Sequence, residues 1–112
     1  MNLNFKKISI IGLGLIGTSI LHAIKAKEKD ELVTSAYDIN PEHREIVLQM
    51  KIATFVCDDI KDTVREADLV ILAVPVGAMK TVASLIAPFL KNNTIVTDTG
   101  STKGSVISDV NP

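Results

Sequence analysis

A chain of 112 residues can build one small domain with a real core, but not two. Its net charge of −1 gives no electrostatic footprint for nucleic acid or an acidic membrane surface. Apolar residues make up 46% and aromatics 4%, which implies a core of Ile, Val, Leu and Ala, and no apolar stretch approaches the roughly 20 residues of a membrane-spanning helix. Residues Met1 to Lys7 carry no signal-peptide pattern, so a cytoplasmic location is expected. Cys57 is the single cysteine and cannot form an internal disulfide. His22 and His43 both fall in helical stretches without metal-ligand spacing, so they read as ordinary helix residues and no metal site is expected.

The run Ile8-Ser9-Ile10-Ile11 reads as a short buried strand. Gly12-Leu13-Gly14-Leu15-Ile16-Gly17 follows it and opens a helix in which Ile16, Ile20, Ala23 and Ile24 recur at helical spacing. Leu32 to Tyr37 forms a second strand ending at Asp38, and Asn40-Pro41-Glu42 is a helix start with cap, first-turn proline and acid in order. Ile46, Val47 and Met50 supply that helix's apolar side. A short third strand is expected around Ala53 to Val56, then a short polar helix or turn from Asp59 to Glu66.

Leu69 to Val74 is the strongest strand. Pro75 stops it and begins a helix with Val82, Leu85, Ile86 and Phe89 on one face, and Pro88 ends or kinks that helix near Ala87. Thr94 to Asp98 makes a fifth strand, and Gly100 to Gly104 opens a last helix carrying Val106, Ile107 and Val110. Strands alternating with helices imply right-handed βαβ units and an α/β fold: a Rossmann-type doubly wound parallel sheet of about five strands, in the order 3-2-1-4-5. Ligands of such sheets bind beyond the carboxyl ends of strands 1 and 4. Gly12 to Gly17, Asp38, Val74 to Gly77 and Thr99 to Lys103 all fall on that edge.

Strand, glycine turn and helix in that order is the context that turns G-x-G-x-x-G into a dinucleotide site. Gly12 permits the tight turn, Gly14 lets backbone approach a pyrophosphate, and Gly17 lets helix pack on strand. Leu13, Leu15 and Ile16 contribute backbone to the same turn, where first-turn N–H groups and the helix dipole favour an anion. A tight βα turn that binds nothing is the bland alternative. Asp38 stands 21 residues after Gly17, where a carboxylate accepts ribose hydroxyls and repels a 2′-phosphate, favouring NAD over NADP. A turn aspartate is the competing reading, and Arg44, six residues on, leaves the coenzyme preference open. Val74 and Pro75 would form apolar walls beside a nicotinamide, or simply end a strand. In Thr97-Asp98-Thr99-Gly100-Ser101-Thr102-Lys103-Gly104, Ser101 could cap its helix. Lys103 opposes the helix dipole unless an anionic ligand lies near or the side chain points into water.

These segments, with Tyr37-Asp38-Ile39-Asn40-Pro41 and Ala67 to Val76, resemble the N-terminal part of prephenate and arogenate dehydrogenases across nearly the whole chain. The stretches through Gly12 to Gly17 and Ala67 to Val76 also resemble the wider 6-phosphogluconate dehydrogenase-like group, and Asp98 to Gly104 discriminates between them. The resemblance implies NAD-dependent oxidative decarboxylation in tyrosine biosynthesis, with prephenate or arogenate as substrate. It places Thr99 with the cofactor-binding residues and Ser101 as the catalytic one, orienting the substrate hydroxyl and a histidine by hydrogen bonds. That histidine lies in a sixth strand beyond the chain's last residue, as does the helical domain that builds the substrate pocket and the homodimer. Residues 1–112 are therefore expected to be the NAD(P)-binding portion alone, inactive without the missing domain. They are also expected to present an unpaired fifth-strand edge that invites self-association. Another dehydrogenase of the same broad fold and a nucleotide-sensing regulatory module are the alternatives.

Overall fold

Along the first strand, β1 (Lys7–Ile11), side chains alternate between two apolar layers. Ile8 and Ile10 join Leu13, Leu21, Ala36 and Val47 in one cluster. Ile11 joins Val64, Val70, Leu72, Ile86 and Val96 in the other. A strand buried on both faces needs helices on both sides of its sheet. The computed structural model, which describes residues 5–27, 32–99 and 108–109, has that arrangement.

The elements follow as α1 (Leu15–Ala26), β2 (Val33–Tyr37), α2 (Pro41–Met50), β3 (Phe55–Val56), α3 (Ile60–Val64), β4 (Leu69–Leu72), α4 (Val76–Ile86), a 3-10 turn (Ala87–Phe89), β5 (Ile95–Asp98) and β6 (Ser108–Asp109). The sheet order is β3-β2-β1-β4-β5-β6. Its first five strands run parallel, in the expected 3-2-1-4-5 order. Helices α1 and α2 contribute Leu21 and Val47 to the first cluster, and α3 and α4 contribute Val64 and Ile86 to the second.

Most hydroxyls buried inside this apolar sandwich are hydrogen-bonded, as burial demands, Thr97 Oγ1 being buried without a partner among the described residues. Ser9 Oγ donates to the Thr63 carbonyl at 2.6 Å, tying β1 to α3. Thr34 and Thr54 exchange reciprocal bonds, each backbone N–H donating to the other's hydroxyl at 3.0 and 2.9 Å.

Several element-level expectations differ from the structure. The buried stripe of α1 runs through Gly17 and Leu21, leaving Ile16 and Ala23 exposed. On α2 only Val47 is buried, while Ile46 and Met50 face outward. Leu85 and Phe89 are likewise exposed, and Ile86 packs inward with Met79, Val82 and Ala83 beside it. Pro88, by contrast, ends its helix where expected: α4 stops at Ile86 and Pro88 sits in the 3-10 turn that follows. The short segment after β3 is not simply polar, since Thr63 and Val64 are fully buried.

Ser108–Asp109 is strand, not the helix expected there; most of that helix lies outside the described residues. It pairs antiparallel with Ile95 and Val96, so β5 does not present a bare edge along its whole length. The ground for expecting self-association through that edge is correspondingly reduced.

At the N-terminal edge of the sheet, Asp68 holds three strands in register. Its carboxylate accepts from the Lys6 and Lys7 backbone N–H groups at 2.7 and 3.0 Å and from Lys91 Nζ at 2.6 Å. Its backbone bonds Lys7 and Ile95 across β1 and β5. Burial pushes this carboxyl up, but the bonds from Lys91, Lys6 and Lys7 prevail and hold it below its usual range. Because the folded-state value lies under the unfolded one, the contribution is complete above roughly pH 4 and lost as pH falls through the lowered value. Asp68→Asn is expected to cost about 2 kcal/mol in denaturant unfolding at neutral pH. The gap from wild type should stay flat from about pH 6 to 8 and shrink in acid; a gap that widened in acid would contradict the argument.

Candidate dinucleotide site

The parallel ladder continues past the strand ends and draws four connections together. Gly12 N–H donates to Tyr37 O at 2.8 Å, Ala73 N–H to Ile11 O at 2.7 Å, and Thr99 N–H to Leu72 O at 3.1 Å. The glycine turn, the end of β2, the start of α4 and Thr99 thus share the carboxyl edge.

Two of the three motif glycines are required by the chain itself. Gly12 has φ of +103°, and a Cβ there would stand 2.6 Å from the Ala73 carbonyl oxygen. At Gly17 a Cβ would fall 1.8 Å from the Gly12 carbonyl oxygen, an overlap no non-bonded pair can tolerate. Gly14 is different, since a Cβ on it meets nothing within 4 Å and its backbone is extended at φ −77°. Nothing in the fold explains a glycine at 14; a ligand approaching the backbone closely would.

Helix α1 begins at that open position with no side-chain cap and no acid in its first turn. Asn40 and Asp59, by contrast, cap α2 and α3 through Glu42 N–H and Lys61 N–H, each at 2.9 Å. The first-turn N–H groups and positive dipole end of α1 therefore lie at the carboxyl edge of the sheet and suit an anion. Leu15, Ile39 and Val76 stand around the same edge with exposures of 88%, 84% and 73%. Leu13 is buried in the core, and what it offers the site is backbone.

Asp38 is the polar centre of the edge. Its Oδ2 accepts from Leu13 N–H at 2.6 Å and its Oδ1 from Asn40 N–H at 2.8 Å. His43 Nδ1 lies 3.2 Å from Oδ2. Burial raises this carboxyl, but the Asn40, Leu13 and His43 hydrogen bonds outweigh burial and hold it below its usual range. Arg44 Nη1 donates to the Asp38 carbonyl at 2.8 Å, and its guanidinium lies 5.8 Å from the Tyr37 ring centroid.

Sequence reasoning missed His43, which is no ordinary helix residue. The available signal was its place as the third residue of a helix capped by Asn40, where side chains reach back over the N-terminus. Val74 and Thr99 are half-buried at the edge, and Pro75 is exposed at the start of α4. Ser101 lies outside the described residues. His22 is exposed on α1, and Cys57 is half-buried just after β3.

A family model described as prephenate dehydrogenase, nucleotide-binding domain, matches residues 21–112. The chain belongs to this family. Cyclohexadienyl dehydrogenase of Zymomonas mobilis is 52% identical over 103 residues, covering 92% of this chain and 35% of that protein. Prephenate dehydrogenase of Lactococcus lactis is 37% identical over 110 residues, covering 95% of this chain and 29% of that one. The chain thus spans about a third of the length of these relatives. Among solved structures, prephenate dehydrogenase from A. aeolicus in complex with hydroxyphenyl propionate and NAD+ superposes with a TM-score of 0.75 at 24% identity. That match covers 88% of this chain and 34% of the A. aeolicus chain, and it supports the fold.

The glycines of this nucleotide-binding domain are expected to separate by substitution. Gly12→Ala and Gly17→Ala meet backbone and should lower stability by about 3 kcal/mol or more, as overpacking and strain do. Gly14→Ala meets nothing and should leave the unfolding midpoint within about 0.5 kcal/mol of wild type. Thermal and denaturant unfolding of the three variants checks this; equal losses at all three positions would refute it.

Proposed function

We propose that this chain is the NAD-binding portion of a cytoplasmic prephenate or arogenate dehydrogenase, completed by a further domain that builds the substrate pocket and a homodimer. The observation that carries the coenzyme assignment is Asp38. It is a carboxylate held ionised at the end of β2 and bonded to the glycine turn, opposite an uncapped helix N-terminus. The A. aeolicus relative bound to NAD+ supports the same reading.

In this reading Gly14 and the first-turn N–H groups of α1, including those of Leu15, Ile16 and Gly17, hold the pyrophosphate. Gly12 fixes the turn that aims them, and Leu13 N–H anchors the carboxylate. Asp38 accepts from the adenosine ribose through its remaining lone-pair position. Val74 and Pro75 give an apolar wall for the nicotinamide, and Thr99 closes the edge between β4 and β5. The coenzyme supplies the hydride acceptor when bound. Ser101 orients the substrate hydroxyl as hydride leaves the ring carbon bearing it and the carboxylate departs as carbon dioxide.

Calorimetric titration tests the reading, because the chain has no tryptophan to report binding. NAD+ should bind saturably and more tightly than NADP+. Asp38→Ala should weaken NAD+ roughly tenfold to a hundredfold, the scale of a lost hydrogen bond to a charged group, and narrow its advantage over NADP+. Gly14→Val should abolish binding while the protein stays folded by circular dichroism. A folded wild-type chain that binds neither nucleotide would overturn the proposal.

A further inference from the structure

Building on the dinucleotide reading, we propose that His43 is a specificity-determining residue whose charge decides how strongly the Asp38 edge rejects a 2′-phosphorylated ribose. The argument starts from the acceptor count at the carboxylate. Of about four lone-pair positions, Leu13 N–H and Asn40 N–H take two, and His43 Nδ1 engages a third. A ribose arriving at Asp38 therefore arrives beside the imidazole, and His43 belongs to the wall of the ribose site.

The charges around that wall are few. The glycine turn over residues 12–17 carries no ionisable side chain. From β2 come Tyr37 and the following Asp38. From α2 come Glu42, Arg44 and Glu45, with Asp58 and Asp62 beyond, across the cleft that Arg44 and Glu45 line. Arg44 is fixed against the Asp38 carbonyl and provides a standing positive charge. With His43 neutral, the Asp38–His43 pair carries one negative charge and repels a phosphate dianion. With His43 protonated the pair is neutral, and the Arg44 guanidinium faces the phosphate without that opposition. Histidine is the side chain whose charge changes in the pH 5 to 8 range, and the His43 side chain, 42% exposed, can exchange its proton with solvent.

The experiment compares NAD+ and NADP+ affinities of this chain at about pH 8 and about pH 5.5, in wild type and His43→Asn. Asparagine keeps an N–H donor within reach of Asp38 but never gains charge, and circular dichroism checks that the variant folds. The 2′-phosphate's own ionisation near pH 6 is common to both proteins and cancels in the comparison. In wild type, the preference for NAD+ should fall on acidification by roughly three- to tenfold more than in the variant, the scale of half to one pKa unit of coupling. Reciprocity then requires NADP+ to raise the titration midpoint of the His43 ring in NMR by more than NAD+ does, with exposed His22 as the internal control. Equal pH dependence in the two proteins, or a His43 midpoint that NADP+ raises no more than NAD+ does, would overturn the proposal while tight NAD+ binding left the dinucleotide reading standing. Failure to bind either nucleotide at either pH would overturn both.

Discussion

Everything on the carboxyl edge depends on one close approach: the first turn of α1 lying directly over the Gly12 carbonyl. A single Cβ at Gly17 would occupy the space of that oxygen. The Gly12 carbonyl is in turn set by a left-handed backbone pressed against Ala73. Two residues without side chains therefore fix the distance between the helix and the β1–β4 seam. That distance brings the α1 N-terminus down onto the carboxyl edge of the sheet that also carries Asp38, Val74 and Thr99. Widening it would pull Leu21 from the first core cluster, so core packing and site geometry are a single constraint.

The two aspartates with lowered carboxyls, Asp38 and Asp68, use the same chemistry at opposite ends of the sheet. Both accept two backbone N–H bonds and face a cationic or protonatable side chain, and in both these interactions overcome the burial that would otherwise raise the carboxyl. They differ in what the bonds join. Asp68 ties β1, β4 and Lys91 together at the strand starts, at the end of the sheet away from the carboxyl edge. Asp38 ties the glycine turn to the cap of α2 and keeps a lone-pair position in reserve. A carboxylate with its ionised state secured and an acceptor left over is suited to recognising hydroxyls.

Much of this was legible in the sequence because the signals were local. Strand, glycine turn and helix announce themselves between Ile8 and Ile24, and Asn40-Pro41-Glu42 caps α2 as its residue types require. The strand order followed from alternation and handedness. The helix faces were less legible, because the buried stripe of α1 is centred on Gly17, which offers no apolar side chain to count. Periodicity then picked out its neighbour Ile16, which stands exposed. On α2, Ile46 and Met50 flank Val47 at spacings that satisfy a helical repeat, yet only Val47 reaches the sheet. Short helices against a sheet bury a narrow line of residues, and a pattern of apolar letters is broader than that line.

His43 illustrates a different kind of illegibility. No motif marks it, since a histidine in the first turn of a helix is unremarkable by residue type alone. Its contact with Asp38 arises because the chain reverses between β2 and α2 within a few residues, folding the third helical position back over the strand end. The tool that finds such a residue is the geometry of the cap rather than a motif. Once Asn40 is placed as the cap, the third helical position must look back toward the chain that precedes it. Here that chain is the end of β2, and because residues 38–40 are all that separate strand from helix, the third helical position meets the Asp38 carboxylate.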